Sequence, residues 1–243
     1  GISVVLKDMT LELAEKGKTY SENLVKKQVG ARRMSDEKAQ ELLRLIKPTC
    51  DASDLDGCDL IIEAVFENID LKNQIVKGNE IHLSDDGFWG SNTSTLPITT
   101  LAKASSKPEN FIGTHFFSPV DKMPLVEIIA GENTSSEALA KAFDFALQIG
   151  KTPIVVNDSL GFFTSRTFST YVDEGATLLL EGIHPVKIEN LGKSIGMPVG
   201  PLQVQDEVSL ELSRKVSETW EAMGFADKWG SGDTQRRVVK DLL

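Results

Sequence analysis

The chain has 243 residues, more than the roughly 100–150 of a common single domain, so two unequal domains are expected. Its 40% hydrophobic content is that of an ordinary globular chain and excludes disordered, collagen-like and low-complexity classes. A net charge of −10, from 26 Lys plus Arg against 36 Asp plus Glu, argues against a nucleic-acid partner. No stretch approaches the roughly 18 uninterrupted apolar residues of a membrane helix. Cys50 and Cys58 have no second pair and no histidine cluster beside them, which indicates neither a metal site nor a disulfide framework and fits a reducing cytoplasm. The opening residues, Gly1 to Val5, lack both an initiator Met and a charged leader, so the chain reads as cut from something longer.

In chain order, the apolar run Ile2 to Leu6 predicts a strand, and Thr10 caps a helix through Leu11 and Leu13. Residues 59–66, 87–92, 111–117, 125–129 and 152–156 are further strand candidates, with helical patterns between most of them. Such alternation predicts a mostly parallel sheet covered by helices, because parallel strands need crossovers. After Asn157 the pattern changes: residues 162–180, 185–195 and 202–223 carry apolar residues at helical spacing. Pro185 and Pro201 stand where helices begin, and Gly182 and Gly196 where they end. The expected architecture is α/β, with a sheet domain over residues 1–157 and an all-helical domain over 158–243.

Three features carry chemistry. His115 closes an apolar strand, and Glu127, twelve positions on, interrupts the apolar run Leu125, Val126, Ile128, Ile129. A carboxylate inside an apolar strand is costly unless paired. Were the two strands neighbours, Glu127 would accept a hydrogen bond from one imidazole nitrogen and leave the other as a general base. A surface His with an edge-strand Glu is the alternative, and spacing does not decide between them. Ser91-Asn92-Thr93-Ser94-Thr95 follows a strand and precedes a helix begun by Pro97, the edge of an open α/β sheet where ligands bind, although Ser and Thr there also serve as caps and turns. Asp8, ending the first strand, suits the ribose hydroxyls of a dinucleotide, although an Asp at such a place, taken alone, is more often a helix cap.

Together these blocks resemble the L-3-hydroxyacyl-CoA dehydrogenase family. The resemblance rests on Ser91 to Ser94, on GTHFFSPVDKMPLVEII over residues 113–129, on Asp158 to Phe163 and on Gly196 to Pro201. LIKPTCD (residues 45–51) and IIEAVFEN (residues 61–68) are similar in particular to the dehydrogenase part of multifunctional fatty-acid β-oxidation enzymes. The family implies a Rossmann-like sheet domain and a helical domain that forms a dimer contact. It also implies NAD as cofactor, an acyl-CoA as substrate, and a homodimer or an attached hydratase domain as partner. His115 would take the hydroxyl proton as the hydroxyl carbon is oxidised, Glu127 would orient and stabilise the imidazole, and Ser94 would bind the substrate oxygen. Asp8 would bind the adenosine ribose, and Ala64, Glu67, Lys72 and Asn92 match positions near the cofactor; a solvated helix face is the other reading of Lys72.

The chain departs from the family pattern in three places. Ser165 and Ser118 stand where many relatives have Asn, and a hydroxyl offers one donor where an amide offers two. No GxGxxG occurs, so the first strand of the dinucleotide fold and its pyrophosphate-binding turn are expected to be absent. Lys26, Lys27, Arg32 and Arg33 could meet CoA phosphates, but a solvated helix face explains them as well. An inactive structural or partner-binding module of the same fold is the rival reading, and a dehydrogenase of free hydroxy acids a further one.

Without a glycine-rich turn, two pyrophosphate charges lose charge-assisted bonds contributing on the order of 1.5–3 kcal/mol each, a weakening of about 10²–10⁴-fold. Calorimetric titration with NADH is therefore expected to find poor binding to these 243 residues and stronger binding to a version extended upstream. Equal micromolar affinity in both would overturn the expectation.

Overall fold

The computed structural model describes residues 1–211 together with 214, 215, 218 and 221. The chain divides into two compact units: Gly1–Thr93 with Ile98–Val155, and Ser94–Pro97 with the chain from Val156 onward.

The first unit begins with strand β1 (Val4–Lys7), whose only partner among the described residues is the parallel strand β2 (Ile46–Thr49). Between them run helices α1 (Leu11–Gly30) and α2 (Asp36–Arg44). Thr10 caps α1 by accepting the Leu13 N–H at 3.3 Å, and Ser35 caps α2 by accepting that of Lys38, so each supplies an acceptor for an otherwise orphaned donor. Gly17 lets α1 lie close on β1, because a Cβ there would sit 3.2 Å from Leu6 Cδ2. Strand β2 had no sequence signal of its own, since Pro48 interrupts it and a proline cannot donate to a ladder.

The second sheet has the order β3 (Cys58–Glu63), β4 (Leu83–Ser91), β5 (Phe111–Phe116), β6 (Leu125–Ala130) and β7 (Thr152–Asn157). β3, β4 and β5 are parallel and joined by α3 (Ile69–Asn79) and α4 (Ile98–Ala102). β6 reverses direction and pairs antiparallel to β5. α5 (Ser136–Gln148) follows β6, and its Ala142 and Ala146 pack with Phe88, Ile112, Val126 and Ile128 into a buried cluster. On Gly113 a Cβ would fall 2.7 Å from Ile98 Cγ1 and 2.8 Å from Ile129 Cβ, so only glycine admits α4 at this point of β5.

The second unit contains α6 (Thr164–Leu180), α7 (Pro185–Ser194) and α8 (Pro201–Val208). Pro185 and Pro201 begin α7 and α8, where a missing N–H costs nothing. Gly182 and Gly196 follow α6 and α7 at φ of 86° and 99°, the left-handed conformation glycine adopts most readily. Close helix contact requires Gly175, whose Cβ would lie 2.5 Å from Pro201 Cβ. The Glu189 carboxylate receives the Leu202 and Gln203 N–H groups at 2.9 and 3.1 Å and so caps α8. The helix expected over 202–223 is interrupted: α8 ends at Val208, Ser209 takes a φ of 77°, and the helix resumes at Leu210. Most of the remaining expected helix lies outside the described residues.

Gly113→Ala is expected to destabilise the protein by about 1–3 kcal/mol, the usual cost of overpacking, because Ile98 and Ile129 flank the site from two elements. Denaturant unfolding would measure the loss, and an unchanged midpoint would contradict the packing described.

Candidate active site

The antiparallel reversal at β6 sets the geometry. In the β5–β6 register His115 lies directly opposite Glu127, so the two side chains share one face of the sheet. His115 Nδ1 is 2.7 Å from Glu127 Oε2, with Glu127 fully buried and His115 buried. A carboxylate only accepts, so a neutral imidazole places its proton on Nδ1 and leaves the Nε2 lone pair for another partner. The Phe117 ring lies tilted against the imidazole at a centroid distance of 4.4 Å.

The strand end that carries His115 is anchored from β4. Asn92 Oδ1 accepts the Phe116 N–H at 2.9 Å, and the Asn92 N–H donates to the Glu63 carbonyl at 2.8 Å. The following loop, residues 117–124, is held by Lys151, whose Nζ donates to the carbonyls of Val120 and, at 2.6 Å, Met123. It is also held by Tyr20 of α1, whose hydroxyl donates to Asp121 Oδ1 at 2.7 Å. That hydrogen bond stabilises the protonated phenol and raises the Tyr20 pKa above its ordinary value, with burial and the Asp121 charge acting in the same direction.

At the carboxyl end of β3 lies a buried ionic cluster. Lys72, on α3, has a side chain with 0% exposure; its Nζ is 2.8 Å from Glu63 Oε1, 3.2 Å from the Val65 carbonyl and 3.5 Å from Glu67 Oε2. Thr93 Oγ1 donates to the Glu67 carboxylate at 3.0 Å. Lys72 is therefore not the solvated helix face that charge pattern allowed; its ammonium is turned toward Glu63, Val65 and Glu67. Sequence reasoning missed Glu63, Ser91 and Thr93 as members of this cluster. The signal that singled out Glu127, a carboxylate in an apolar run, was equally present at Glu63.

Asp8 is exposed at the carboxyl end of β1, where its Oδ1 accepts the Met9 N–H at 2.7 Å. The α1 cap is Thr10, so Asp8 keeps carboxylate surface for a ligand. Ala64 is exposed after β3, next to a Phe66 that is 87% exposed. An exposed carboxylate, a part-exposed Glu67 and an exposed aromatic ring at strand ends fit the hydroxyl-bearing and flat-ring portions of a dinucleotide such as NAD. Lys26, Lys27, Arg32 and Arg33 are exposed. Ser118 is exposed in the loop after β5, while Ser94 and Ser165, both half-buried, belong to the second unit.

Residues 1–159 match the 3-hydroxyacyl-CoA dehydrogenase NAD binding domain, and residues 161–242 match the C-terminal domain of the same enzymes. The chain belongs to the 3-hydroxyacyl-CoA dehydrogenase family. It is 39% identical, over 97% of its length, to the fatty acid oxidation complex subunit alpha of Shewanella baltica, and 44% identical, over 82% of its length, to that of Shewanella halifaxensis. It spans only 35% and 28% of those two proteins, about a third of the curated relatives it matches. Among solved structures, (S)-3-hydroxybutyryl-CoA dehydrogenase from Ralstonia eutropha superposes with a TM-score of 0.91 at 31% identity, covering 98% of this chain and 85% of that one. The Escherichia coli 3-hydroxybutyryl-CoA dehydrogenase gives 0.90 at 25% identity, over 99% of this chain and 52% of that one. The expected Rossmann-like sheet domain followed by helices is thus the fold of this dehydrogenase family, and the first unit carries most of its NAD-binding domain. Among the described residues no helix is long and apolar enough to cross a membrane.

Tyr20 is expected to titrate above the ordinary tyrosine range, and Asp121→Ala to bring it back down, because the substitution removes the acceptor that holds the phenolic proton and its charge with it. NMR titration of the tyrosine ring would check this; an unmoved midpoint in the variant would show that the bond is not made in solution.

Proposed function

We propose that the protein catalyses the NAD-dependent oxidation of L-3-hydroxyacyl-CoA to 3-oxoacyl-CoA in fatty-acid β-oxidation. The observation that carries this reading is the buried His115–Glu127 pair at 2.7 Å, on strands matched to this dehydrogenase family. His115 Nε2 accepts the proton of the substrate hydroxyl, and Glu127, held at Nδ1, stabilises the imidazolium that results. Burial of Glu127 keeps water from competing for that contact and strengthens it. The family resemblance gives the substrate oxygen to the Ser94 hydroxyl and places Ser165 where relatives carry a substrate-contacting amide. Asp8 accepts from the ribose hydroxyls, Ala64 and Phe66 meet the cofactor's flat surfaces, and Glu67, set by Lys72, accepts from its polar edge. Asn92 acts beside them by fixing the end of β5. NAD, when bound, supplies the two-electron acceptor for the oxidation.

The natural protein is proposed to be cytoplasmic, in keeping with two free cysteines, and to act within a multifunctional assembly, as a homodimer or with an attached hydratase domain. The name of the Shewanella relatives, which are subunits of a fatty acid oxidation complex, supports the assembly. An inactive module of the same fold would have no need to keep a buried imidazole and carboxylate paired.

In the natural protein, His115→Gln is expected to lower kcat by about 10²–10⁴-fold with a much smaller change in KM, the signature of lost general-base catalysis. Glu127→Gln should also lower kcat, since it removes the charge that supports the imidazolium. Steady-state rates with a 3-hydroxyacyl-CoA and with the free hydroxy acid measure both the effect and the requirement for the CoA ester. Unchanged turnover in His115→Gln would exclude it as the base, and faster oxidation of the free acid would replace the substrate class.

A further inference from the structure

The buried cluster at the end of β3 contains more than cofactor-contacting residues require. Glu63, whose side chain is 1% exposed, accepts at Oε1 from Lys72 Nζ at 2.8 Å and from the Val65 N–H at 2.7 Å, and at Oε2 from Ser91 Oγ at 2.8 Å. One carboxylate thus ties together β3, the turn after it, α3 and the end of β4. Two carboxylates face the Lys72 ammonium. Removing a charge from water is costly, so the fully buried Glu63 depends most on this partner. Glu67, with 34% of its side chain exposed and 3.5 Å from Lys72, is the member nearest solvent.

We infer that Glu63 is a positioning residue for the cofactor loop: by holding the Lys72 ammonium and the Val65 amide, it fixes the place from which Lys72, together with the Thr93 hydroxyl, holds the part-exposed Glu67 carboxylate as an acceptor for the cofactor. This rests on the dehydrogenase reading above. Without Glu63, Glu67 is the remaining carboxylate paired with Lys72 among the described residues, and the buried ammonium shifts toward it and changes its placement. Ser91 has a lesser part, since it holds the second oxygen of Glu63 and carries no charge.

The test uses the natural protein, with NADH binding followed by calorimetric titration and thermal unfolding followed without ligand. Glu63→Gln keeps the shape and removes the charge; it is expected to weaken NADH binding by about tenfold or more, and also to lower the unfolding midpoint. The double variant Glu63→Gln/Lys72→Met removes both buried charges. Its midpoint is expected to recover toward that of the parent, while its NADH affinity stays as weak as in the single variant because Lys72 no longer holds Glu67 and the Thr93 hydroxyl is left to do so alone. If the cluster were only structural support, affinity would recover together with the midpoint, and that result overturns the inference. So does parental affinity in a folded Glu63→Gln protein. Should Glu63→Gln fail to fold, the double variant decides by the same criterion, and Ser91→Ala, which leaves every charge in place, is expected to weaken binding by about two- to threefold. A parent protein that does not bind NADH overturns the dehydrogenase reading itself, whereas a parent that binds and a double variant that binds equally well overturn only the role of Glu63.

Discussion

A carboxylate withdrawn from water must find cations or donors for its oxygens, and the first unit buries two at the carboxylate-bearing positions of its sheet, Glu63 in β3 and Glu127 in β6. Each is satisfied in a different currency. Glu63 meets a lysine ammonium, a backbone amide and a serine hydroxyl, a set that ties β3, the turn after it, α3 and the end of β4 together. Glu127 meets an imidazole, whose charge can change during a reaction. The same constraint therefore yields a lysine-bound support at one strand and an imidazole-bound pair at another. Elements around them follow from these needs: Asn92 holds the end of β5, and α3 delivers Lys72 to the end of β3.

The reversal of β6 is what makes the second arrangement reproducible. Parallel neighbours offset their side chains along slanted hydrogen bonds, whereas an antiparallel pair sets residues directly opposite one another. His115 and Glu127 occupy one such opposed position, flanked by the pairs Thr114 with Ile128 and Phe116 with Val126. A slip of one residue would turn the imidazole and the carboxylate to opposite faces of the sheet. Register is protected from both sides of the ladder: Ile128 and Val126 are buried, and Gly113 is pinned between Ile98 and Ile129.

Much of this was legible in the sequence where one residue type has one physical meaning. Thr10 before an apolar helical pattern, Pro185 and Pro201 at helix starts, and Gly182 and Gly196 after helix ends all took the positions expected of them. The apolar strands were legible for the same reason. β2 was not, because its four residues include a proline and its pairing among the described residues is with β1 alone, a long-range contact with no local pattern. Lys72 was ambiguous because a lysine on a helix is ordinarily solvated, and only the tertiary approach of α3 to β3 removes it from water. The break at Ser209 was invisible, since serine gives no sign that it will adopt a left-handed backbone.

The departures at Ser118 and Ser165 can be weighed on the same footing. Neither residue takes part in the Glu127–His115 contact, which is formed by a cross-strand pair and held by the Asn92 bond to Phe116. Replacing an amide by a hydroxyl at either place changes the number and reach of donors offered to a ligand. It leaves the register, the orientation of the imidazole and the charge behind it unaltered. Acid–base capacity is thus fixed by the sheet, while donor strength toward a bound molecule is set by loop and helix-start residues that the ladder does not constrain. Ser118 lies in the loop after β5 and Ser165 in the first turn of α6, both outside the ladder.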